Sequence, residues 1–191
     1  MREEFEKVIM IKMDAENKLP SRKHPRLNNF DYSSTGAYFI TICTQNRKCI
    51  LSRVVGTGVL DCPQIELTQF GEIADKYIKK LSDFYNHLSV ESYVIMPNHI
   101  HILLFIRKNI HTLENGQSGT PVPTNVERAN STCSQLVSTF KRFCNKEYGE
   151  NIWQARFNDH IIRNREDYEE HLKYIYENPM CWCYDELHAD I

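Results

Sequence analysis

Two histidines one residue apart carry the clearest chemical signal in the sequence. His99 and His101 follow Pro97 in a stretch whose side chains alternate between two faces, which is typical of a β-strand. Alternation places both imidazoles on one face, about 7 Å apart at roughly 3.3 Å rise per residue, where they can converge on one metal ion. We expect this face to be open to a cleft. A half-exposed strand that holds no metal fits an isolated His-x-His pair equally well.

A tyrosine near the end of the sequence supplies a second reactive group. Its helix is predicted to begin near Arg165 and to end at Asn178, because Pro179 stops it. Tyr174 and Asn178 are four residues apart and therefore share one helix face. A phenol, with a pKa of about 10, is a poor nucleophile at neutral pH unless a divalent metal withdraws charge from the phosphate that it attacks. Together with the two histidines, this spacing suits attack on a phosphodiester.

The sequence leaves the third metal ligand and the role of the tyrosine open. Asn178 is the preferred ligand, although an asparagine before proline also commonly closes a helix, and Glu177 or Glu170 could replace it. Two imidazoles and one amide are neutral, so the metal would keep its double positive charge and attract a polyanion. Tyr176 lies about 200° around the helix from Tyr174, so we expect it to be packed. The alternative for Tyr174 is a tyrosine buried in the core.

Positive charge is concentrated in two blocks, although the net charge of the 191-residue chain is only −2. The blocks span residues 21–57 and 131–165 and alternate with acidic stretches. If they meet in space they form a local anion-binding surface, and otherwise they are solvated faces. The candidate contacts to phosphates are Arg22, Lys23, Arg26, Arg47, Lys48, Lys141, Arg142, Arg156 and Arg163.

Composition argues against several classes of protein. Hydrophobic residues make up 41% and charged residues 25%, as in an ordinary globular domain, and no apolar run reaches the roughly 18 residues of a membrane span. The N-terminus lacks the pattern of a signal peptide. Seven scattered cysteines do not suggest a disulfide framework and favour a reducing cytosol. The pair Cys181 and Cys183 is interpreted as incidental.

The pattern of elements predicts an α+β fold. In order, the sequence predicts a strand at 37–44, a helix from residue 67, a hairpin of strands at 90–96 and 98–105, a helix from residue 132, an extended segment at 152–162 and the tyrosine helix. Residues 49–66 are ambiguous. This order is that of a split βαβ domain, in which a small antiparallel sheet has helices on one face.

The motifs, taken in their order, resemble a known family. Residues 96–101 (MPNHIH) resemble the histidine motif of the HUH enzymes, and Tyr174 with Asn178 resembles their catalytic tyrosine with its metal ligand. Further matches occur in the same order at residues 38–44, 140–141, 153–154, 157, 162–164 and 174–179. The set resembles the REP-associated tyrosine transposases, a branch of the single-tyrosine HUH transposases, over residues 22–182.

This resemblance implies a fold, an activity and a cofactor. It implies a ferredoxin-like palm and a transposase or nuclease that cleaves and rejoins single-stranded DNA at palindromic hairpins. Tyr174 would be the nucleophile and form a 5′-phosphotyrosine, while His99, His101 and Asn178 would hold Mg²⁺ or Mn²⁺. The expected partner is single-stranded or hairpin DNA rather than a membrane, with the protein a monomer or homodimer in the cytoplasm, associated with the nucleoid.

The resemblance also divides the chain and leaves alternatives. Residues 1–21 are expected to be an N-terminal extension, 22–182 the nuclease domain with a mobile loop at 107–130, and 183–191 a C-terminal tail. One alternative is a metal-dependent phosphodiesterase in which water attacks and Tyr174 only positions the substrate. Another is a domesticated regulator that binds hairpin DNA without cleaving it.

Overall fold

A four-stranded antiparallel sheet is the centre of the protein, with strand order β4-β5-β1-β6. The computed structural model describes residues 35–56, 63–107 and 132–182. The strands of the main sheet are β1 (Gly36–Cys43), β4 (Leu88–Ile95), β5 (His99–Ile106) and β6 (Asn158–Ile162). A second, two-stranded sheet pairs β2 (Ser52–Val55) with β3 (Gln64–Leu67). The predicted α+β fold with a small antiparallel sheet is confirmed.

Four α-helices accompany the sheets in the described residues. They are α1 (Gln69–Lys79), α2 (Leu81–Phe84), α3 (Thr132–Tyr148) and α4 (Arg165–Glu177). The side chain of Thr68 caps α1 by accepting a hydrogen bond from the Gly71 N–H, and Asn164 caps α4 through the Asp167 N–H. Helix α4 ends one residue before Asn178, as the following proline predicts.

The structure differs from the predicted elements in three places. The helix predicted from residue 67 is interrupted at Lys80, so that a long and a short helix follow each other. The ambiguous residues 49–66 contain β2 and most of β3, the two strands of the small sheet. Of the extended segment 152–162, only 158–162 joins the main sheet, while Trp153 makes an isolated bridge to Thr44.

The main core lies on one face of the sheet, under α1 and α3. Even-numbered residues of β1 and β5 point into it, and they are Tyr38, Ile40, Ile42, Ile100, Ile102, Leu104 and Ile106. From the helices, Ile78 of α1 and Leu136 and Phe140 of α3 pack against them. This face therefore carries most of the buried apolar surface, which is the main driving force of folding.

Helix α4 covers the opposite face, so the expectation that the helices lie on one face is wrong. Phe39 and Leu103 are odd-numbered residues of β1 and β5, and Ile175 of α4 packs against both in a second, smaller cluster. The physical reason is that these strands are apolar on both faces at these positions, so each face must be covered. The second cluster brings α4 over the histidine face of β5.

The small sheet holds the turn that precedes β5. Two hydrogen bonds connect the start of the small sheet to this turn: Leu51 N–H to the Pro97 carbonyl (2.9 Å) and Ser52 Oγ to the Ile95 carbonyl (2.8 Å). A third joins the residue after β1 to the turn, from Thr44 N–H to the Asn98 carbonyl (2.9 Å). Because the turn is tied at both ends, the start of β5 has a fixed register relative to β1.

Several predicted regions lie outside the described residues. They are residues 1–34, which include Arg22, Lys23 and Arg26, most of the loop at 107–130, and residues 183–191. The domain boundaries therefore stay predictions. Among the described helices, none is both long enough and apolar enough to cross a membrane.

Gly71 in α1 packs so closely against the backbone before the small sheet that no side chain fits there. A Cβ added there would collide with the backbone carbonyl oxygen of Leu51, which precedes the small sheet. We expect Gly71→Ala to destabilise the protein by about 1–3 kcal/mol, the usual cost of overpacking, measured by urea denaturation. Gly36→Ala is the control, because its Cβ would meet only the Tyr38 ring at 3.9 Å. Equal denaturation midpoints for the two variants would contradict this packing.

Candidate metal and nucleophile site

The two histidines of β5 lie side by side under α4. Their ring centroids are 4.5 Å apart, and His99 and His101 are 0% and 3% exposed. The β1–β5 register places Thr41 directly opposite His101. Strand pairing therefore fixes the backbone positions of both histidines and of Thr41. The two imidazoles lie on one face of β5, as the His-x-His spacing predicts.

Each histidine is oriented by a hydrogen bond at Nδ1. His99 Nδ1 donates to Asn98 Oδ1 at 2.8 Å, and because an amide oxygen only accepts, the proton lies on Nδ1 and the lone pair on Nε2. His101 Nδ1 is 2.9 Å from Thr41 Oγ1. Its Nε2 is buried and makes no hydrogen bond within the described part of the chain. Metal-binding histidines are commonly held in this way, with the second nitrogen turned to the ion.

Burial keeps the His101 ring neutral. The pKa of His101 lies well below its ordinary value because burial disfavours the charged ring, and because positive charge on His99 and His171 would repel it. A neutral imidazole offers a lone pair, whereas a protonated one cannot bind a metal. His101 is therefore in the state that a divalent ion requires.

Tyr174 stands beside this pair on α4. Its ring centroid is 5.1 Å from that of His101 and 6.0 Å from that of Phe39, yet its side chain is 43% exposed. A pocket of about 410 Å³ opens here, lined by Phe39, Thr41, His101, Glu170, His171 and Tyr174. The hydroxyl-bearing residue is thus reachable from solvent and held against a candidate metal ligand.

The neighbours of Tyr174 on α4 separate into buried and exposed positions. Asn178 is 2% exposed, and its N–H donates to the Tyr174 carbonyl at 3.0 Å, so the two residues are one turn apart on the same side. Tyr176 is 70% exposed, so the expectation that it is packed is wrong, because Ile175 takes the buried position. Glu170 is exposed at the pocket, and Glu177 lies 3.7 Å from the Lys173 ammonium.

The histidine face is less open than the sequence suggested. The pocket reaches His101, but His99 is fully buried, with its ring centroid 5.9 Å from that of Trp182. Helix α4 and the residues after it cover the face because Phe39 and Leu103 give them an apolar surface to pack against.

The two basic blocks approach each other at one end of the main sheet. Backbone hydrogen bonds join the loop after β1 to the segment before β6: Gln45 N–H to the Ile152 carbonyl (2.7 Å) and Gln154 N–H to the Cys43 carbonyl (2.9 Å). Arg47, Lys48 and Arg156 are exposed in these segments, at the end of the sheet where Cys43 pairs with His99. Arg142 is exposed on α3, and Arg163 lies at the other end of β6. Their contacts to DNA stay predictions.

Lys141 has a structural environment of its own. Its ammonium donates to the carbonyl oxygens of Gln154 at 2.6 Å and Arg156 at 3.2 Å, which ties α3 to the segment before β6. Burial lowers the pKa of Lys141 to about 8. Its predicted contact with DNA would have to be made from this partly buried position.

The sequence analysis missed three residues next to the pocket. His160 of β6 and His171 of α4 both approach the carboxylate of Asp167, and His171 also lines the pocket. A signal was present for His171, which precedes Tyr174 by three residues and therefore shares its helix face. His160 is brought near only by the fold.

Comparisons with known proteins show what the chain as a whole is similar to. No protein-family model matches the chain. A protein of Escherichia coli named REP-associated tyrosine transposase is 26% identical over 169 residues, covering 84% of this chain and 81% of that protein. The resemblance to the REP-associated tyrosine transposases is confirmed. An uncharacterized protein of Haemophilus influenzae is 27% identical over 179 residues, covering 88% of this chain and 94% of its own length.

The fold agrees with that of a solved REP-associated tyrosine transposase. That structure shows the protein bound to a REP hairpin, and it superimposes with a TM-score of 0.53 at 22% identity, covering 83% of this chain and 73% of the other. At 22% identity, this similarity is evidence for a shared fold only. It supports the α+β fold of this chain, in which helices pack on a small antiparallel sheet.

Ile175 is expected to hold α4 on the sheet. Ile175→Ala removes a buried side chain from the cluster with Phe39 and Leu103, so we expect a loss of about 2–4 kcal/mol in the free energy of unfolding. Tyr176→Ala, on the next residue, should change stability by less than about 0.5 kcal/mol because its ring is exposed. Chemical denaturation measures both, and a larger loss for Tyr176→Ala would show that α4 docks through its other face.

Proposed function

We propose that the chain is a metal-dependent, single-stranded DNA transposase or endonuclease that cleaves and rejoins palindromic hairpin DNA through Tyr174. The observation that carries this proposal is an accessible tyrosine whose ring lies 5.1 Å from a buried, neutral histidine with an unused Nε2. The kinship with REP-associated tyrosine transposases supports the same reaction class.

The proposed metal ligands are His99, His101 and Asn178, and the ion is Mg²⁺ or Mn²⁺. The residues fit a divalent ion because His101 presents a buried nitrogen that no other described group satisfies, and because Asn178 is buried on the same helix side as Tyr174. When bound, the ion would act as a Lewis acid on the scissile phosphate. The three ligands are neutral and leave its positive charge for the phosphate.

The proposed reaction exchanges one phosphodiester bond for another. Tyr174 Oη attacks the phosphorus and loses its proton, the bond from phosphorus to the 3′ oxygen breaks, and that oxygen takes up a proton to leave a free 3′-hydroxyl. The product is a 5′-phosphotyrosine, so the bond energy is kept and the 3′-hydroxyl of a new strand can reverse the step. The rings of Phe39 and His101 restrict where the Tyr174 ring can lie, which favours a defined line of attack.

The proposed substrate is hairpin or single-stranded DNA. A solved relative binds a REP hairpin, and the exposed Arg47, Lys48 and Arg156 lie at the end of the sheet next to His99. Contacts of this kind are made to phosphates, so binding should weaken steeply with salt. Because this substrate is chromosomal DNA, the proposed reaction would take place at the nucleoid.

The hydroxyl of Tyr174 decides between the proposal and its alternatives. With Mn²⁺ and single-stranded hairpin DNA, Tyr174→Phe should abolish a covalent adduct that survives SDS while leaving DNA binding intact, because it removes only the attacking oxygen. Tyr176→Phe is the matched control and should still form the adduct. Gel analysis and mass spectrometry of the adduct measure both.

The other outcomes of this experiment have distinct meanings. Cleavage without an adduct in the parent protein would favour the phosphodiesterase in which water attacks. Tight hairpin binding without cleavage at any metal concentration would favour the regulator. An adduct on Tyr176, or a 3′-linked adduct, would show that the assignment of Tyr174 is wrong.

Thr41 offers a test of the metal site that keeps all three proposed ligands. Thr41→Val removes the hydrogen bond to His101 Nδ1 with little change in shape, so the ring loses its orientation. We expect Mn²⁺ affinity, measured by titration, to fall roughly 10–100-fold. Thr139→Val is the control, since it removes a hydrogen bond to Tyr85 on the other face. His101→Ala should abolish cleavage altogether, and unchanged Mn²⁺ binding in Thr41→Val and His101→Ala would argue against this site.

A further inference from the structure

Three side chains that the proposed reaction does not use converge beside the pocket. His160 Nε2 lies 3.0 Å from both carboxylate oxygens of Asp167, and His171 Nδ1 lies 3.1 Å from Asp167 Oδ1. One ligand atom from each of the three residues can be chosen so that all lie within 4.8 Å of one another. His160 comes from the edge strand β6, and the other two from the first turns of α4.

The donor set is one that transition metals prefer. Two imidazole nitrogens and one carboxylate are a common ligand set of Zn²⁺, with bonds of about 2.0–2.2 Å. Tetrahedral bonds of this length place neighbouring ligand atoms roughly 3.3 Å apart. The separations from His160 Nε2 and His171 Nδ1 to Asp167 Oδ1, 3.0 and 3.1 Å, are close to this value.

One ring must turn before both histidines can bind the same ion. The rings of His160 and His171 are stacked, with centroids 4.6 Å apart and planes at 16°, so one ion cannot lie in both ring planes. The His160 side chain is 45% exposed on an edge strand, which gives it room to rotate about its own bonds. His171 is more buried and is held by a 2.8 Å hydrogen bond from Nδ1 to the Asp167 carbonyl, which an ion bound at Nδ1 would replace.

The charges around Asp167 leave it suitable for a cation. Within the described residues no lysine or arginine side chain pairs with its carboxylate, which accepts hydrogen bonds from the Arg163 N–H and from His160. Partial burial raises the pKa of Asp167, but these hydrogen bonds outweigh it and hold the pKa below its ordinary value. The group is therefore an anion near neutral pH.

We infer that His160, Asp167 and His171 form a Zn²⁺ site, separate from the one formed by His99, His101 and Asn178. The ion would connect the edge strand β6 to the start of α4, which carries Tyr174. It would therefore stabilise the docking of the tyrosine helix without touching the phosphate. This inference concerns binding and does not depend on the proposed cleavage reaction.

The test counts zinc in the full-length chain after treatment with a chelator. The parent protein for these variants carries His99→Ala and His101→Ala, so that the first site cannot contribute bound Zn²⁺ to the count. Competition with a chromophoric chelator should show that adding His160→Gln removes one bound Zn²⁺ equivalent or weakens it at least about 100-fold. Cysteine thiols also bind Zn²⁺, so the count is read as the difference between variants.

A control and a second variant complete the test. His87→Gln removes a histidine outside the cluster and should leave the zinc count unchanged. Asp167→Asn keeps the shape but removes the charge, and it should weaken the site as His160→Gln does. Zn²⁺ should raise the melting temperature of the parent but not of either cluster variant. If His160→Gln and Asp167→Asn bind Zn²⁺ as tightly as the parent does, the three residues are only a hydrogen-bonded contact between β6 and α4.

Discussion

The contact of Ile175 with Phe39 and Leu103 is the constraint on which the candidate site depends. It is a small apolar cluster on the face of the sheet opposite the main core, and it determines where α4 lies. A buried side chain of this size contributes about 1.5–3 kcal/mol, far less than the main core as a whole. The tyrosine and the histidines are therefore brought together by a modest interaction, on a sheet whose stability comes from its other face.

Much of the site could be predicted because it depends on local periodicity. The period of two places His99 and His101 together on β5, and the period of 3.6 places Tyr174 and Asn178 together on α4. The face that α4 covers could not be predicted, because Phe39 and Leu103 make the histidine face as apolar as the core face at those positions. For the same reason the cleft expected above His99 is filled.

The errors have a common physical origin in contacts between residues far apart in the sequence. Tyr176 was expected to pack because it lies on the side of the helix away from Tyr174, but on this helix Ile175 occupies the buried side. His160 approaches His171 only because β6 pairs with β1 and α4 then folds back across the sheet. Neither the spacing nor the composition of the chain contains that information.

The single turn between Tyr174 and Asn178 has a consequence for how this sequence can change during evolution. The Asn178 N–H is bonded to the Tyr174 carbonyl, so both side chains keep one angular relation as long as the turn is helical. A residue inserted earlier in α4 would rotate both by about 100° and preserve that relation, so a shift in docking could compensate for it. A residue inserted between the two would separate them by the same angle, and no movement of a rigid helix could restore their common side. Length is therefore fixed more strictly within these five residues than anywhere else along α4.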